Sequence, residues 1–252
     1  VPTGVTEDRC IKAVSVKPSP QGRAAAHHAN SRLLGFDEET EEWVEVERLS
    51  EYALGKVGEV VPEDACRLLP ADSMVTWDVH YYPTGEVIED DVIEMGVWLY
   101  PEDHEAKYKQ DLKLYSLLMK GSQLELEPHG TAMTQGFHSF DTPVRVDSFQ
   151  PHGHFRLVGK TLEIFDPKTG RLEMVSSVSN WTNDWHTSHI YSEDSAPLVP
   201  AGSVLVITGY YDNTAGNKQN PDPNQWVGPG SRTADEMSHS WIAVTHLDQE
   251  GY

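Results

Sequence analysis

Basic residues are scarce in this chain. It carries 19 lysines and arginines against 40 aspartates and glutamates, which gives a formal net charge of −21. Such a surface repels the phosphates of nucleic acids and the headgroups of anionic membranes, so the charge argues against both as partners. We interpret the acidic surface as a source of solubility, with attraction of a cationic electron donor as the alternative.

Cysteine is nearly absent as well. The two present, Cys10 and Cys66, form no CxxC or CxxCH motif. This excludes a thiolate zinc site and a c-type haem attachment within these residues. Two alternatives remain open: a single disulfide, which would fit an exported protein, or two buried free thiols.

Several other sequence patterns are missing. No run of about 18 apolar residues occurs, so we predict no membrane span. The G-x-S-x-G elbow, the P-loop and the G-x-G-x-x-G fingerprint are all absent. The chain starts at Val1 without a signal peptide or an initiator Met, and we interpret it as a processed or trimmed product. Separately, we predict that the protein is exported, to the periplasm or the extracellular space.

Helical periodicity is scarce, and Glu41–Leu54 is the best but weak candidate. Instead, turn residues separate short apolar segments that alternate in polarity, as half-buried strands do. A turn at Asp166–Gly170 between two of them predicts a hairpin. We therefore predict an antiparallel all-β protein made of two sandwiches. The predicted strands include Ile11–Val16, Val75–Tyr82, Val92–Leu99, Thr161–Phe165, Leu172–Val178 and Ser203–Tyr211.

A domain boundary is predicted near the polar stretch Pro101–Lys107. This assigns residues 1–104 to an N-terminal domain and residues 105–252 to a C-terminal domain. Within the second domain, the loop Asn217–Arg232 is dense in Asn, Pro and Gly and leads to Asp235-Glu236-Met237.

His152-Gly153-His154 is the sharpest local motif. Residues i and i+2 of a strand point to the same face, so the two rings can converge on one metal ion. The glycine between them leaves room for the metal or for close backbone packing. The motif also occurs in cupins and many other proteins, so by itself it does not identify one kind of site.

Three weaker candidates accompany this motif. His27 and His28 would point to opposite faces of a strand, so they can share a metal only at a bulge or through different ring nitrogens. His80 lies in a strand predicted to be buried, where an ordinary core histidine is the alternative. Met237 follows a polar loop, and its alternative role is core packing.

Together these residues make two ligand sets, and both suit copper. His27, His28 and His80 would form an all-imidazole site, while His152, His154 and Met237 would combine two imidazoles with a thioether. Imidazole serves both copper oxidation states, and a thioether favours Cu(I). We expect one copper to feed electrons and the other to handle oxygen.

Three further histidines lie near these sets in the sequence. We interpret His186 and His189 as structural or solvated, since at i and i+3 they would face opposite sides of a strand. His239 lies two residues beyond Met237, and lining of the same site is the alternative to a plain structural role.

Nearly the whole chain resembles the copper type II, ascorbate-dependent monooxygenases, a family that includes peptidylglycine α-hydroxylating monooxygenase and dopamine β-monooxygenase. The match is closer to bacterial relatives of unassigned substrate. The segments that carry the resemblance, in family-like order and spacing, are Thr6–Arg9, Ala26–Ala29, Val79–Gly85, Ser148–His154, Tyr211–Asn217, Asn220–Pro223 and Asp235–Met237.

The resemblance implies two jelly-roll-like β-sandwich domains and two copper ions per chain. The first copper would accept electrons from an ascorbate-like reductant or an electron-donor protein. The second, held by the catalytic residues His152, His154 and Met237, would bind O2. The enzyme would then hydroxylate a C–H bond of a small-molecule or peptide-like substrate.

The chain departs from the peptidylglycine enzymes at three positions. Gln150 stands where they place a carboxylate-gripping arginine, His239 where they have asparagine, and Trp241 where they have tyrosine. We predict a substrate pocket near these residues and no peptidylglycine substrate. The main alternative is a non-enzymatic copper-binding or structural β-sandwich module of a larger extracellular or envelope assembly. A mononuclear cupin-like enzyme at the HxH motif would leave the other predicted ligands unexplained.

Overall fold

The computed structural model describes residues 1–56, 58–116 and 124–248. Within those ranges the chain forms sixteen strands and one short 3₁₀ helix, Gly22–Ala24, and has no α-helix, which confirms the all-β prediction. The strands are β1 (Arg9–Pro18), β2 (Ala26–Asp37), β3 (Glu42–Ala53), β4 (Glu59–Val60), β5 (Ala65–Leu69), β6 (Met74–Tyr81), β7 (Ile93–Leu99), β8 (Tyr108–Ser116), β9 (Thr131–Ser139), β10 (Val144–His152), β11 (Leu157–Asp166), β12 (Arg171–Ser179), β13 (His189–Ile190), β14 (Leu198–Val199), β15 (Val204–Asp212) and β16 (His239–His246).

The chain divides into two compact units, as the prediction of two β-sandwich domains requires. The first unit comprises Val1–Lys113 and Ala243–Tyr252, and the second comprises Leu114–Ile242. The division therefore lies later than the boundary predicted after residue 104. The polar stretch there does not end the first unit because it leads into β8, where Tyr108 pairs in parallel with Ala65 of β5.

The first unit contains two groups of paired strands. Strand β1 pairs antiparallel with β4, β5 and β7, while β2 lies between β3 and β6 in a three-stranded sheet. The weak helix prediction for Glu41–Leu54 is wrong, because β3 pairs with β2 from Glu42 to Ala53. Its alternation of Glu with Trp and Val suits a strand. The C-terminal part of β3, from Leu49 onward, is buried.

The second unit contains a four-stranded antiparallel sheet in the order β12-β11-β15-β9. The predicted hairpin joins β11 to β12: the Asp166 carboxylate accepts hydrogen bonds from the Lys168 amide and the Thr169 hydroxyl, and Gly170 has a φ of 70°. Strand β10, which pairs with β13 and β14, is buried along its whole length. The long loop Asn217–Arg232 contains no strand.

No helix in the described part of the chain has the length and apolar character needed to cross a membrane.

Cys10 and Cys66 form a disulfide that joins β1 to β5 across 56 positions of sequence. Both sulfurs are therefore committed to each other, and the alternative of two free thiols is wrong. The bond adds a covalent link between strands that already pair antiparallel, with Cys10 opposite Leu68.

We expect the double substitution Cys10→Ser/Cys66→Ser to lower the free energy of unfolding by about 4 kcal/mol, because a loop of this length loses its closure constraint in the unfolded chain. Chemical denaturation of both proteins measures the difference. Metal content should not change, since neither sulfur is predicted to bind metal. A loss of metal in the folded variant would contradict that expectation.

A buried ionic group lies beside this disulfide-linked pair of strands. The Glu59 carboxylate accepts hydrogen bonds from Lys56 and from Arg67, whose guanidinium also donates to Gln110. Burial alone would raise the pKa of the Glu59 carboxyl, but the charges of Lys56 and Arg67 outweigh it and hold the pKa below the usual value of 4.5.

The substitution Glu59→Gln should lower the free energy of unfolding by about 3 kcal/mol at neutral pH, because it leaves two buried cations without a counter-charge. A depressed carboxyl pKa stabilises the fold above the unfolded pKa, and this stabilisation is lost as the pH falls through the folded pKa. The difference between the two proteins should therefore shrink in acid. Denaturation curves of both proteins, measured at steps of about one pH unit between about pH 3 and pH 8, test this. The control is Glu63→Gln, at an exposed position.

Candidate metal centres

The first histidine cluster consists of His27, His28 and His80, and the strand register builds it. His28 of β2 lies opposite His80 of β6, while Ala26 lies opposite Tyr81. His27 is therefore the extra residue of a β-bulge. A bulge is the device that lets neighbouring residues of a strand turn toward one place, so the structure brings all three histidines together.

The rings of this cluster are in close contact. The Nδ1 atoms of His27 and His28 lie 2.9 Å apart, and the ring centres of His28 and His80 lie 4.1 Å apart. Burial, and then the charge of His80, lowers the pKa of the His27 imidazole. This favours the neutral imidazole, which is the form that binds metals. The His80 side chain is 38% exposed, so solvent reaches the cluster.

The second histidine cluster consists of His152, His154, His186 and His239, with His152 in its centre. The ring centre of His152 lies 4.1 Å from that of His239, 4.9 Å from that of His186 and 5.6 Å from that of His154. His152 and His154 are fully buried. A side chain at Gly153 would collide with Leu157, so the glycine of the motif serves close packing.

A buried lysine holds two members of this cluster in place. The Lys160 ammonium of β11 donates hydrogen bonds of 2.8 Å to the carbonyl oxygens of both His152 and His239. Desolvation lowers the pKa of Lys160 to about 7. Its position links the end of β10 to the beginning of β16, because those two strands carry the two carbonyls.

A buried carboxylate ties the HxH motif to Met237. Glu236 accepts hydrogen bonds from the backbone amides of His154, Arg156 and Met237. The Tyr211 hydroxyl donates to the Met237 carbonyl at 3.0 Å. Burial raises the pKa of the Glu236 carboxyl to about 7, against the amide hydrogen bonds and the Arg156 charge, which favour ionisation.

Backbone carbonyls orient two of the rings. His154 Nδ1 lies 3.1 Å from the Asp235 carbonyl, and His186 Nε2 lies 3.1 Å from the Asn183 carbonyl. A ring nitrogen facing a carbonyl carries the proton, which leaves the lone pair on the other nitrogen. This arrangement, in which a backbone carbonyl fixes the tautomer, is typical of histidines that bind metals.

Sequence reasoning missed three members of this site. His186, interpreted as structural or solvated, lies buried in an irregular segment, where the two-residue period of a strand does not apply. His189, three residues further along in β13, pairs with Phe149 of β10 and is partly exposed. Lys160 and Glu236 carried no motif, and only the burial of an ionisable residue reveals their roles.

The three residues of the predicted substrate pocket differ in exposure. Gln150 and Trp241 are buried, while His239 is partly exposed. His239 contacts the predicted ligand His152 directly, which places it at the second histidine cluster.

Replacing Glu236 by Gln should destabilise the protein by about 2 kcal/mol, because the new amide group presents donors to backbone amides that also donate. The raised pKa means that the folded state keeps a proton that the unfolded state releases, so wild-type stability falls as the pH rises from 4.5 to about 7. The variant should lack this decline. Hydrogen exchange at the three amides should also accelerate, whereas the exposed Glu173→Gln should change neither property.

Comparison with known proteins identifies no family for this chain. No family model matches it, and no curated protein matches it significantly. Among solved structures, it is similar to VP2 of infectious bursal disease virus in a subviral particle (12% identity, 96% of this chain, 58% of that chain, TM-score 0.26) and to the Gx strain structure (12%, 96%, 57%, TM-score 0.29). The chain spans a little over half the length of these proteins. At such TM-scores the likeness carries no argument about function.

Proposed function

We propose that the chain is a two-copper monooxygenase that hydroxylates a C–H bond of an organic substrate, using O2 and an external reductant. The observation that carries the proposal is the gathering of the five predicted histidine ligands into two clusters, one in each unit. The sixth predicted ligand, Met237, follows directly after the carboxylate that holds the His154 backbone.

The donor set of each cluster fits copper. The first offers three imidazoles side by side, and its bulge overcomes the geometric objection to adjacent histidines. The second offers two buried imidazoles beside the backbone of a methionine, and the Asp235 carbonyl fixes the tautomer of His154. Bound copper would supply one-electron redox chemistry at both centres, with the thioether favouring Cu(I) at the second.

The protein's own groups divide the remaining work. His80 leaves the first centre open to solvent, where an ascorbate-like reductant or an electron-donor protein can approach. His152 and His154 hold the second centre in a buried place that limits access of water. Lys160 and Glu236 orient the backbone segments that carry the ligands, so their contribution is positioning.

The substrate is a small-molecule or peptide-like compound, and its recognition does not depend on an arginine that binds a substrate carboxylate. Gln150 at the predicted pocket is neutral and buried, which supports this restriction. Export to the periplasm or the extracellular space is part of the proposal, and the Cys10–Cys66 disulfide supports it because such bonds persist in oxidising compartments.

Metal stoichiometry tests the two-centre arrangement. After reconstitution with Cu(I), the wild-type chain should hold two coppers, and His80→Ala or His154→Ala should each hold one. Met237→Leu should remove a sulfur scatterer from the X-ray absorption spectrum of the reduced protein while the fold survives. A sulfur signal that persists in this variant would contradict the assignment of Met237, and a single copper in the wild type would contradict two centres.

Oxygen consumption tests the enzymatic part. Ascorbate-driven consumption coupled to product formation should require both centres, because each copper supplies one of two electrons that come from the reductant. His80→Ala should abolish turnover while the second centre still binds Cu(I). Glycine-extended peptides should not be hydroxylated. Copper bound at both centres without turnover of any small-molecule or peptide substrate would favour the non-enzymatic copper-binding module instead.

A further inference from the structure

Two histidines that the predicted ligand sets do not use lie against the central ring of the second histidine cluster. The His239 ring stacks on that of His152, with 13° between their planes, and the His186 ring lies on another side of it, tilted by 52°. His152 therefore has an imidazole neighbour on each of these sides in addition to His154. His186 and His239 therefore both contact the ring of His152, and three imidazoles are the donor set of many zinc centres.

His186 is buried, and its ring is oriented by a backbone carbonyl. The residue is 2% exposed, and the Asn183 carbonyl fixes its proton on Nε2. Near His186, two buried polar atoms have no hydrogen-bond partner within the described part of the chain. They are Trp181 Nε1, on a ring 5.1 Å from that of His186, and Asn183 Oδ1. Buried polar groups of this kind are satisfied by water or by a ligand, so the surroundings of His186 suit a polar ligand.

The backbones of the other two histidines, His152 and His239, are fixed by a common hydrogen-bond donor. Lys160 binds the backbone carbonyls of His152 and His239, and a ring nitrogen of each lies within 4.8 Å of one on the other. A metal with bonds to nitrogen of about 2.0–2.1 Å spans ring nitrogens up to roughly 4 Å apart. A shared metal therefore requires these side chains to rotate until their ring nitrogens lie within that distance.

We propose that His152, His186 and His239 form a three-imidazole site for a divalent transition metal such as Zn²⁺, with water at the fourth position. This set shares His152 with the set His152, His154 and Met237. The two sets differ in softness: divalent ions prefer the imidazoles, and Cu(I) prefers the set that contains the thioether. The inference goes beyond the proposed function, because it requires neither copper nor oxygen chemistry.

Divalent metal binding to the second unit tests the site. The full chain with His80→Ala, which weakens the first centre, is titrated with Co²⁺ and read by its visible absorption, and Zn²⁺ competition gives the affinity. His186→Ala and His239→Ala should each lower the affinity for Co²⁺ by about tenfold or more and change the spectrum, since a ligand lost should cost at least as much as an outer-shell partner. The matched control is His189→Ala, three residues along the same segment and partly exposed.

The same variants separate this inference from the proposed function. Cu(I) affinity, measured by competition with a chromophoric chelator, should fall in His154→Ala and Met237→Leu, which lose a proposed copper ligand, and fall much less in His186→Ala, which does not. If Co²⁺ binding instead survives both His186→Ala and His239→Ala, the three-imidazole site does not exist, whatever Cu(I) does. Should His186→Ala fail to fold, as thermal unfolding would show, His186→Asn replaces it, and retained affinity there overturns the proposal equally.

Discussion

The second histidine cluster depends on one buried carboxylate. The Glu236 carboxylate accepts hydrogen bonds from the backbone amides of His154, Arg156 and Met237. It thereby joins the segment after the loop Asn217–Arg232 to the turn that follows β10. Each of these amides would otherwise be a buried donor without a partner, which costs about 1–3 kcal/mol. The carboxylate bears the opposing cost of its own burial, seen in the raised pKa of Glu236. These hydrogen bonds fix the segment that follows the loop beside the HxH motif.

The two histidine clusters are built by different means. In the first, hydrogen bonding between strands is sufficient: the register of β2 on β6 sets His28 against His80, and a bulge turns His27 toward them. In the second, side chains fix the backbone: Lys160 donates hydrogen bonds to two carbonyls, and Glu236 accepts them from three amides. Sheet register tolerates solvent and leaves the first cluster accessible. The second arrangement works only where water is excluded, because water would compete for the same backbone groups.

The strands were readily predicted from the sequence because alternation and turn residues act locally. The hairpin at Asp166–Gly170 needs only its own residues, and the structure contains it as predicted. The domain boundary was predicted too early because the pairing of Tyr108 with Ala65 is a contact between distant parts of the chain. The helix considered for Glu41–Leu54 failed for the same reason: pairing with β2 decides the conformation of that segment.

The sequence by itself determined the all-β class and the condition under which His27 and His28 could share a metal. These conclusions follow from the two-residue period of a strand, which depends on backbone geometry alone. Only the tertiary structure decided that a bulge meets that condition, that His186 lies beside His152, and that Lys160 and Glu236 are buried. Such facts depend on which distant segments exclude water together, and no local pattern in the chain encodes that.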